Sequence, residues 1–546
     1  MKTSRYFRIF MILLDTVIMF LLRPFRRFNS LKTFSFTPEE STPHPTPDTE
    51  PSKDRIDPLL EVDGVLTDSY QRRDPISVDP EYDYSKGKGI YTFKGDHKRS
   101  GGSFGHISNE NSSMSVKWSI DTGKLQKGYG KGFWTGSGWT GQPLIIRWDE
   151  SDKKDMDLPS TLKEDRDFTE VIYSTMDGKV YFLDLRTGER TRPDIDVGLP
   201  FKGAGAIDPE HPLLHLGPGD SGPTEDLYAR GYLYSLENST KLLEYGGKDP
   251  FSKRIFCGFD SSPLFFNDYM IEPSENGIIY SMKLNSSRDS DGHYTIAPSE
   301  FAKLRYTTYR SSEESYWLGM EDSSVIWKNY LYIADNGGTL LCIDLNNMKV
   351  VWVQDVVDDT NGSPVLSIEG GHPYLYIGTS LHWSPSRFLR LGDCPVFKID
   401  AVTGEYVWIH EYFCNTVAGI SGGVQATPAI GSGQIDDIVI FPLARTPSVF
   451  GGILVALDKK TGKEVWRYRM KHYAWSSPVL TYSDNGKPYL FQCDSGGNLH
   501  KIDPLTGKLL STINLGDANI EATPAIFDNT LVVGTRGMKI FGVEIS

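Results

Sequence analysis

From about Gly89 to the C-terminus, apolar and polar residues alternate in short runs broken by Gly, Asn, Asp and Thr-Gly turns. Alternation with a period of two is the mark of strands with one buried face. One unit recurs: an alternating strand ending in an acid, a Thr-Gly turn, then often a strand carrying Trp. It reads VYFLDLRTGE at Val180–Glu189, LLCIDLNNMKVVW at Leu340–Trp352, VFKIDAVTGEYVW at Val396–Trp408, LVALDKKTGKEVW at Leu454–Trp466 and LHKIDPLTGKLL at Leu499–Leu510. Degenerate copies around Glu237 and Asn285, and a last one at Glu544, give eight units spaced 41 to 59 residues apart. Repetition at that period predicts a modular all-β ring or stack.

A second signature precedes each unit: a small-residue step into Pro at Pro143, Pro263, Pro364, Pro428, Pro478 and Pro524, with Ser-Ser-Val325 in the same role. Pro is tolerated at the first residue of a strand, where its missing N–H costs little. Hairpin turns such as Asp177-Gly178, Asn276-Gly277 and Gly496-Gly497 lie between the two signatures, so each unit is a sheet of about four antiparallel strands. The last unit supplies only three. Ser115–Lys124, SVKWSIDTGK, is the candidate fourth, and its pairing with the C-terminal strands would close a ring and hide two open edges. The predicted fold is an eight-bladed β-propeller over residues 89–546, closed by an N-terminal strand.

Upstream, Ile9–Leu22 (IFMILLDTVIMFLL) lies between Lys2, Arg5, Arg8 and Arg23, Arg26, Arg27. This marginal apolar run predicts an N-terminal membrane-anchor helix within residues 1–36. Residues 37–88, rich in Pro, Ser, Thr and acids, predict a disordered stalk. An anchor and a stalk place the propeller outside the cytoplasm, at the cell surface or in the periplasm. Composition adds 53 Gly and 28 Tyr, which suit tight turns and pleated surfaces. The net charge of −14 argues against nucleic acid as a partner. The five cysteines contain no C-x-x-C pair; Cys394 and Cys414 flank one strand pair, and whether they form a disulfide stays open.

These repeats resemble the PQQ-like (pyrroloquinoline quinone-like) propeller superfamily, in particular repeat proteins similar to the outer-membrane assembly factor BamB. Ala456–Trp466 matches its tryptophan-docking motif, and Tyr91–Gly102, YTFKGDHKRSGG, resembles the lead-in to its first blade. In the motif, the Asp458 carboxylate accepts N–H bonds across its turn, Gly462 allows a left-handed residue, and Trp466 fills the joint between blades. The resemblance also implies what dehydrogenase members carry: PQQ and a calcium ion on the axis, often against an adjacent Cys pair. This chain has no such pair, so neither PQQ nor Ca²⁺ is expected.

Residues just before each inner strand should ring the axis. The Pro steps nominate Trp139, Asp260, Asp322, Asn361, Gln425, Trp475 and Glu521 as ligand-binding candidates. The three carboxylates suit either a hard cation or a solvated channel mouth; the two Trp suit either ligand stacking or packing. The insertion Thr379–Cys394 adds His382, Trp383, Arg387 and Arg390 as loop residues. No catalytic residue is nominated. The expected function is a membrane-tethered, non-catalytic module for a protein or cell-surface polymer. The alternative is a PQQ-dependent alcohol or sugar dehydrogenase.

Overall fold

The computed structural model of the chain describes residues 29–38, 42–54, 56–108, 113–128, 132–138, 141–224, 226–381, 391–416 and 422–545. Among them, eight sheets of four to six strands follow one another along the chain. Each is a four-stranded antiparallel meander, running in blade 4 through Val325–Trp327, Tyr330–Ala334, Thr339–Asp344 and Lys349–Asp355. The eighth blade takes its outermost strand from the other end: Ser115–Asp121 pairs antiparallel with Lys539–Glu544, Ser115 opposite Glu544 and Ile120 opposite Ile540. The ring closes as the sequence pattern predicts.

Four joints between blades use the same device. Trp118, Trp352, Trp408 and Trp466 are buried. Their indole Nε1–H groups donate to Leu185 O at 2.9 Å, Ala401 O at 3.2 Å, Lys459 O at 2.9 Å and Pro504 O at 2.7 Å. Each acceptor follows the repeat Asp of the next blade. Each ring covers that blade's turn glycine, Gly188, Gly404, Gly462 or Gly507, all at positive φ. A Cβ on Gly462 would come within 2.7 Å of the Trp408 ring. The acids close their own turns: Asp458 Oδ1 accepts from Thr461 N at 2.7 Å and Thr461 Oγ1 at 2.6 Å. In blade 2 the turn bond runs from Ser239 N to Ser235 O, so Ser235 and not Glu237 fills the acid position.

The N-terminal segments depart from expectation. The predicted anchor Ile9–Leu22 lies outside the described residues, and among the described residues no helix is long and apolar enough to cross a membrane. Residues 42–54 and 56–88 are not a disordered stalk but a strap around the ring. Asn29–Thr33 pairs with Tyr406–Asn415 on the outer edge of blade 5, and Asp57–Val62 with Ser299–Thr307 on that of blade 3. Between them Thr49 Oγ1 donates to Thr403 O at 2.6 Å, and the buried Arg72 donates to Leu345 O and Ser281 Oγ. The reason is physical: a bare sheet edge offers backbone donors and acceptors that a polar segment satisfies without an apolar face of its own.

The lead-in is a plug. Thr92 Oγ1 donates to Pro263 O of blade 3 at 3.2 Å, and Lys94 Nζ to Pro478 O of blade 7 at 2.8 Å. Blades 3 and 7 are opposite members of an eight-membered ring, so the segment spans the axis. Backbone bonds from Ile207, Ile326, Leu366 and Ile526 to Tyr91, His97, Lys98 and Gly102 tie blades 2, 4, 5 and 8 to it. Burial brings the Lys94 ammonium down to about 7. The cysteine question also resolves: Cys394 stands opposite Tyr412 and Cys414 opposite Gly392, and no disulfide joins them.

Trp408→Ala should lower stability by about 3–5 kcal/mol, the usual cost of emptying a buried Trp site. Gly462→Val should approach that cost, because its Cβ would displace the same ring. Denaturant midpoints followed by Trp fluorescence and near-UV CD check both; a variant within error of wild type would contradict the docking account.

Candidate functional site

The step before each inner strand does more than start it. Ser262 N donates to Ser323 Oγ at 2.9 Å, Ser323 N to Ser363 Oγ at 2.8 Å, and Ser363 N to Thr427 Oγ1 at 3.0 Å. Thr427 N then donates to Ser477 Oγ at 3.1 Å, Ser477 N to Thr523 Oγ1 at 3.3 Å, and Thr523 N to Gly141 O at 3.0 Å. Ser262 Oγ donates backward to Ala204 O at 2.9 Å. A small hydroxyl residue therefore recurs because its side chain accepts the N–H of the preceding blade, a hydrogen bond repeated around the axis.

These bonds fix the register from blade to blade. The strand starts Leu264 and Val325 are equivalent, so Ser324 holds the place of Pro263 and Ser323 that of Ser262. The residue matching Asp260 is then Glu321, not Asp322. Asp322 sits one position further on, wholly buried, with Oδ2 3.4 Å from Ala334 N and its carboxyl held well above the usual range by burial. The same count in blade 2, whose inner strand is Ala206–Ile207, selects Lys202. Sequence reasoning missed it because Gly205 replaces the Pro; matching apolar strand starts instead of the Pro would have found both residues.

The remaining candidates keep their register. Asn361 Nδ2 donates to Asp359 Oδ2 at 2.8 Å, and Gln425 Nε2 to Gly422 O at 3.2 Å. Trp475 lies against Tyr473, ring centroids 5.7 Å apart. Glu521 accepts from Asn519 Nδ2 at 2.7 Å and faces Arg536 Nε at 3.8 Å. Trp139 and the loop residues His382, Trp383, Arg387 and Arg390 lie outside the described residues. Asn361, Gln425, Trp475 and Glu521 precede their strand starts as Asp260 does, and the plug binds beyond them, so they occupy the end of the axis that the plug leaves open.

Three acids converge there. One oxygen each of Asp260, Glu275 and Glu321 lies within 4.8 Å of the others. Glu275 comes from the hairpin turn between Tyr269–Pro273 and Ile279–Lys283, a second source that the strand-start pattern did not cover. Lys202 Nζ stands 3.7 Å from Asp260 Oδ2 and 3.9 Å from Asp220 Oδ2. Burial raises the Glu275 carboxyl well above its ordinary value, with Glu321 and Asp260 adding to it. Glu321 is pushed up to about 7 by burial first, then by Asp359 and Asp260, against Lys202 and Arg254. Burial alone would lower Lys202, but Asp260, Glu275, Asp220 and Glu321 outweigh it and hold the ammonium charged. The site is thus a water-poor acid cluster with one lysine among its members.

Fold and repeats together define a PQQ-like repeat propeller. Residues 319–476 and 450–546, under half of the chain, match the family described as outer membrane protein assembly factor BamB, and over that stretch the chain is similar to BamB-like repeat proteins. A curated relative, the outer membrane protein assembly factor BamB of Kangiella koreensis, is 27% identical over 172 residues, 31% of this chain and 35% of the relative. The chain therefore spans about a third of that relative's length. Among solved structures, the quinohemoprotein alcohol dehydrogenase ADHIIG of Pseudomonas putida HK5 superposes with a TM-score of 0.57 at 11% identity, covering 86% of this chain and 82% of that one. That likeness shows the fold alone. BamB of Moraxella catarrhalis gives a TM-score of 0.45 at 16% identity over 73% of this chain and 98% of its own, an overlap too low to bear on function.

The raised Glu321 carboxyl sets the sign of a pH effect. An acid with a folded-state value of about 7 against an ordinary 4.5 binds its proton more tightly when folded. Its contribution to stability is present below about 4.5 and is lost as pH rises to about 7. Glu321→Gln should flatten the fall in thermal midpoint between pH 5 and 7; an unchanged pH profile would contradict the placement of Glu321 in the cluster.

Proposed function

We propose that the protein is a non-catalytic, extracytoplasmic propeller that holds a protein partner on the open end of its ring. The observation that carries this reading is a set of exposed apolar side chains on the loops of that end. Hairpin turns between second and third strands, and the links from one blade to the next, fall on the end where inner strands begin. They carry Phe133, Leu227, Ile255, Trp317, Val357 and Phe450, all exposed. Exposed aliphatic and aromatic residues around a polar centre are the make-up of a protein-binding face. The plug at the other end and the docked blades behind make that face rigid, which lowers the ordering cost of association.

The match to a family named for outer-membrane assembly supports a protein rather than a polymer as partner. The basic-flanked apolar run Ile9–Leu22 and the word outer membrane in the relative's name support placement outside the cytoplasm. The dehydrogenase reading rests on likeness of fold alone, and folds host many activities.

The test is chemical crosslinking on intact cells followed by affinity recovery of the full chain, wild type against Ile255→Asp/Phe450→Asp. Both side chains are exposed, so the pair should leave the thermal midpoint unchanged. One stoichiometric protein recovered with wild type and lost with the variant is the expected result. Equal recovery, or stoichiometric PQQ binding with dye-linked alcohol oxidation in the presence of Ca²⁺, would contradict the proposal.

A further inference from the structure

The resemblance to quinone-dependent propellers raises the question of a calcium ion on the axis, and the donor set here answers it. Asp260, Glu275 and Glu321 are the oxygen ligands a hard cation prefers. Left alone, three carboxylates at this spacing, shielded from water, would repel one another strongly. A proton on Glu275 or Glu321, or a positive charge among them, relieves that repulsion, and the chain supplies a charge in Lys202, with Arg254 acting on the two Glu residues as well. Lys202 takes in blade 2 the position that Asp260 takes in blade 3 and Glu321 in blade 4. Its stem reaches sideways to put Nζ between Asp260 and Asp220, and the residue is only 6% exposed.

The surroundings are built to this pair. A Cβ on Gly219 would collide with Asp260 Oδ1 and press on Lys202 Cγ, and one on Gly203 would collide with the Asp260 backbone. Both Asp260 carboxylate oxygens are buried, and the neighbouring Lys202 ammonium is the group that most favours their charged form, against the burial that opposes it. A divalent ion at coordination distance from Asp260, about 2.3–2.6 Å, would lie against an ammonium 3.7 Å from that same carboxylate. Calcium and Lys202 compete for one place, and the residues do not fit a resident metal.

We infer that Lys202 is the resident cation of the axial acid cluster: a tethered ammonium that binds blades 2, 3 and 4 electrostatically and makes the open end of the axis independent of metal. The lysine thereby also removes the cation on which an axial quinone would rely, which separates this site from the dehydrogenase chemistry of the same fold.

Terbium luminescence and thermal midpoints test this on the full chain. Wild type should show no saturable Tb³⁺ signal and the same midpoint in EDTA and in millimolar Ca²⁺. Lys202→Met should lower the midpoint, gain saturable Tb³⁺ binding that Ca²⁺ competes away, and recover stability when Ca²⁺ is added. Lys202→Arg, which keeps the charge, and Lys202→Met/Asp260→Asn, which removes one charge of each sign, should both fold and stay indifferent to Ca²⁺. Stoichiometric Ca²⁺ binding by wild type would overturn the inference. So would a Lys202→Met protein with unchanged stability and no cation binding, or failure of both the Arg and the double variant to fold, since then something other than charge holds the site.

Discussion

A ring of sheets has no end, and that constraint governs this molecule. Eight meanders in a row would leave an open first strand and an open last one, each a template for unwanted pairing. The chain resolves this by giving Ser115–Asp121 to the last blade, so that the first and last strands of the ring lie in one sheet. Everything else follows from holding that ring shut. Trp118, on the closing strand itself, docks on Gly188 of blade 1, and the hydroxyl bonds from Ser262 round to Gly141 repeat the closure near the axis. Outer and inner clasps act at different radii, which resists both opening and twisting of the blades.

Much of this was legible from residues whose role is local. A Thr-Gly turn needs its Gly for backbone reasons, and the Trp of the preceding blade needs that Gly for room; the repeat of turn and Trp announces itself wherever it occurs. The axis was read less well. Taking the Ser-Ser before Val325 as equivalent to the Ser-Ser before Pro263 shifts blade 4 by one residue, and a one-residue shift in a strand exchanges its faces. Asp322 was thereby chosen in place of Glu321. Lys202 escaped because Gly205 erased the Pro that marked its neighbours, and Glu275 because it comes from a turn two strands away. The strap between 42 and 88 escaped for another reason. Its polar composition describes what it cannot do alone, while strand pairing on the edge of blade 3 and hydrogen bonds to blades 4 and 5 hold it in place.

The two ends of the axis differ in chemistry for the same structural reason. Residues at and immediately before the inner-strand starts face the plug, and the carbonyls of Ser262, Pro263, Ser324 and Pro478 are taken up by Thr92, Lys94 and Arg99. Positions four residues before the strand starts lie beyond the plug, and there the chain concentrates charge around Lys202 and apolar side chains on the surrounding loops. The first end is consumed in stability. The second is the surface available for a partner, with a centre whose charge is balanced from within the protein.

The closure on which the account rests can be measured directly. Cysteines at Ser115 and Glu544, which face each other across the closing pair, should form a disulfide in the folded protein under mild oxidation and raise its thermal midpoint. Cysteines at Ser115 and Lys539, at opposite ends of that pairing, should stay reduced. Folded protein in which the Ser115–Glu544 pair also stays reduced would show that the ring is not closed by this strand.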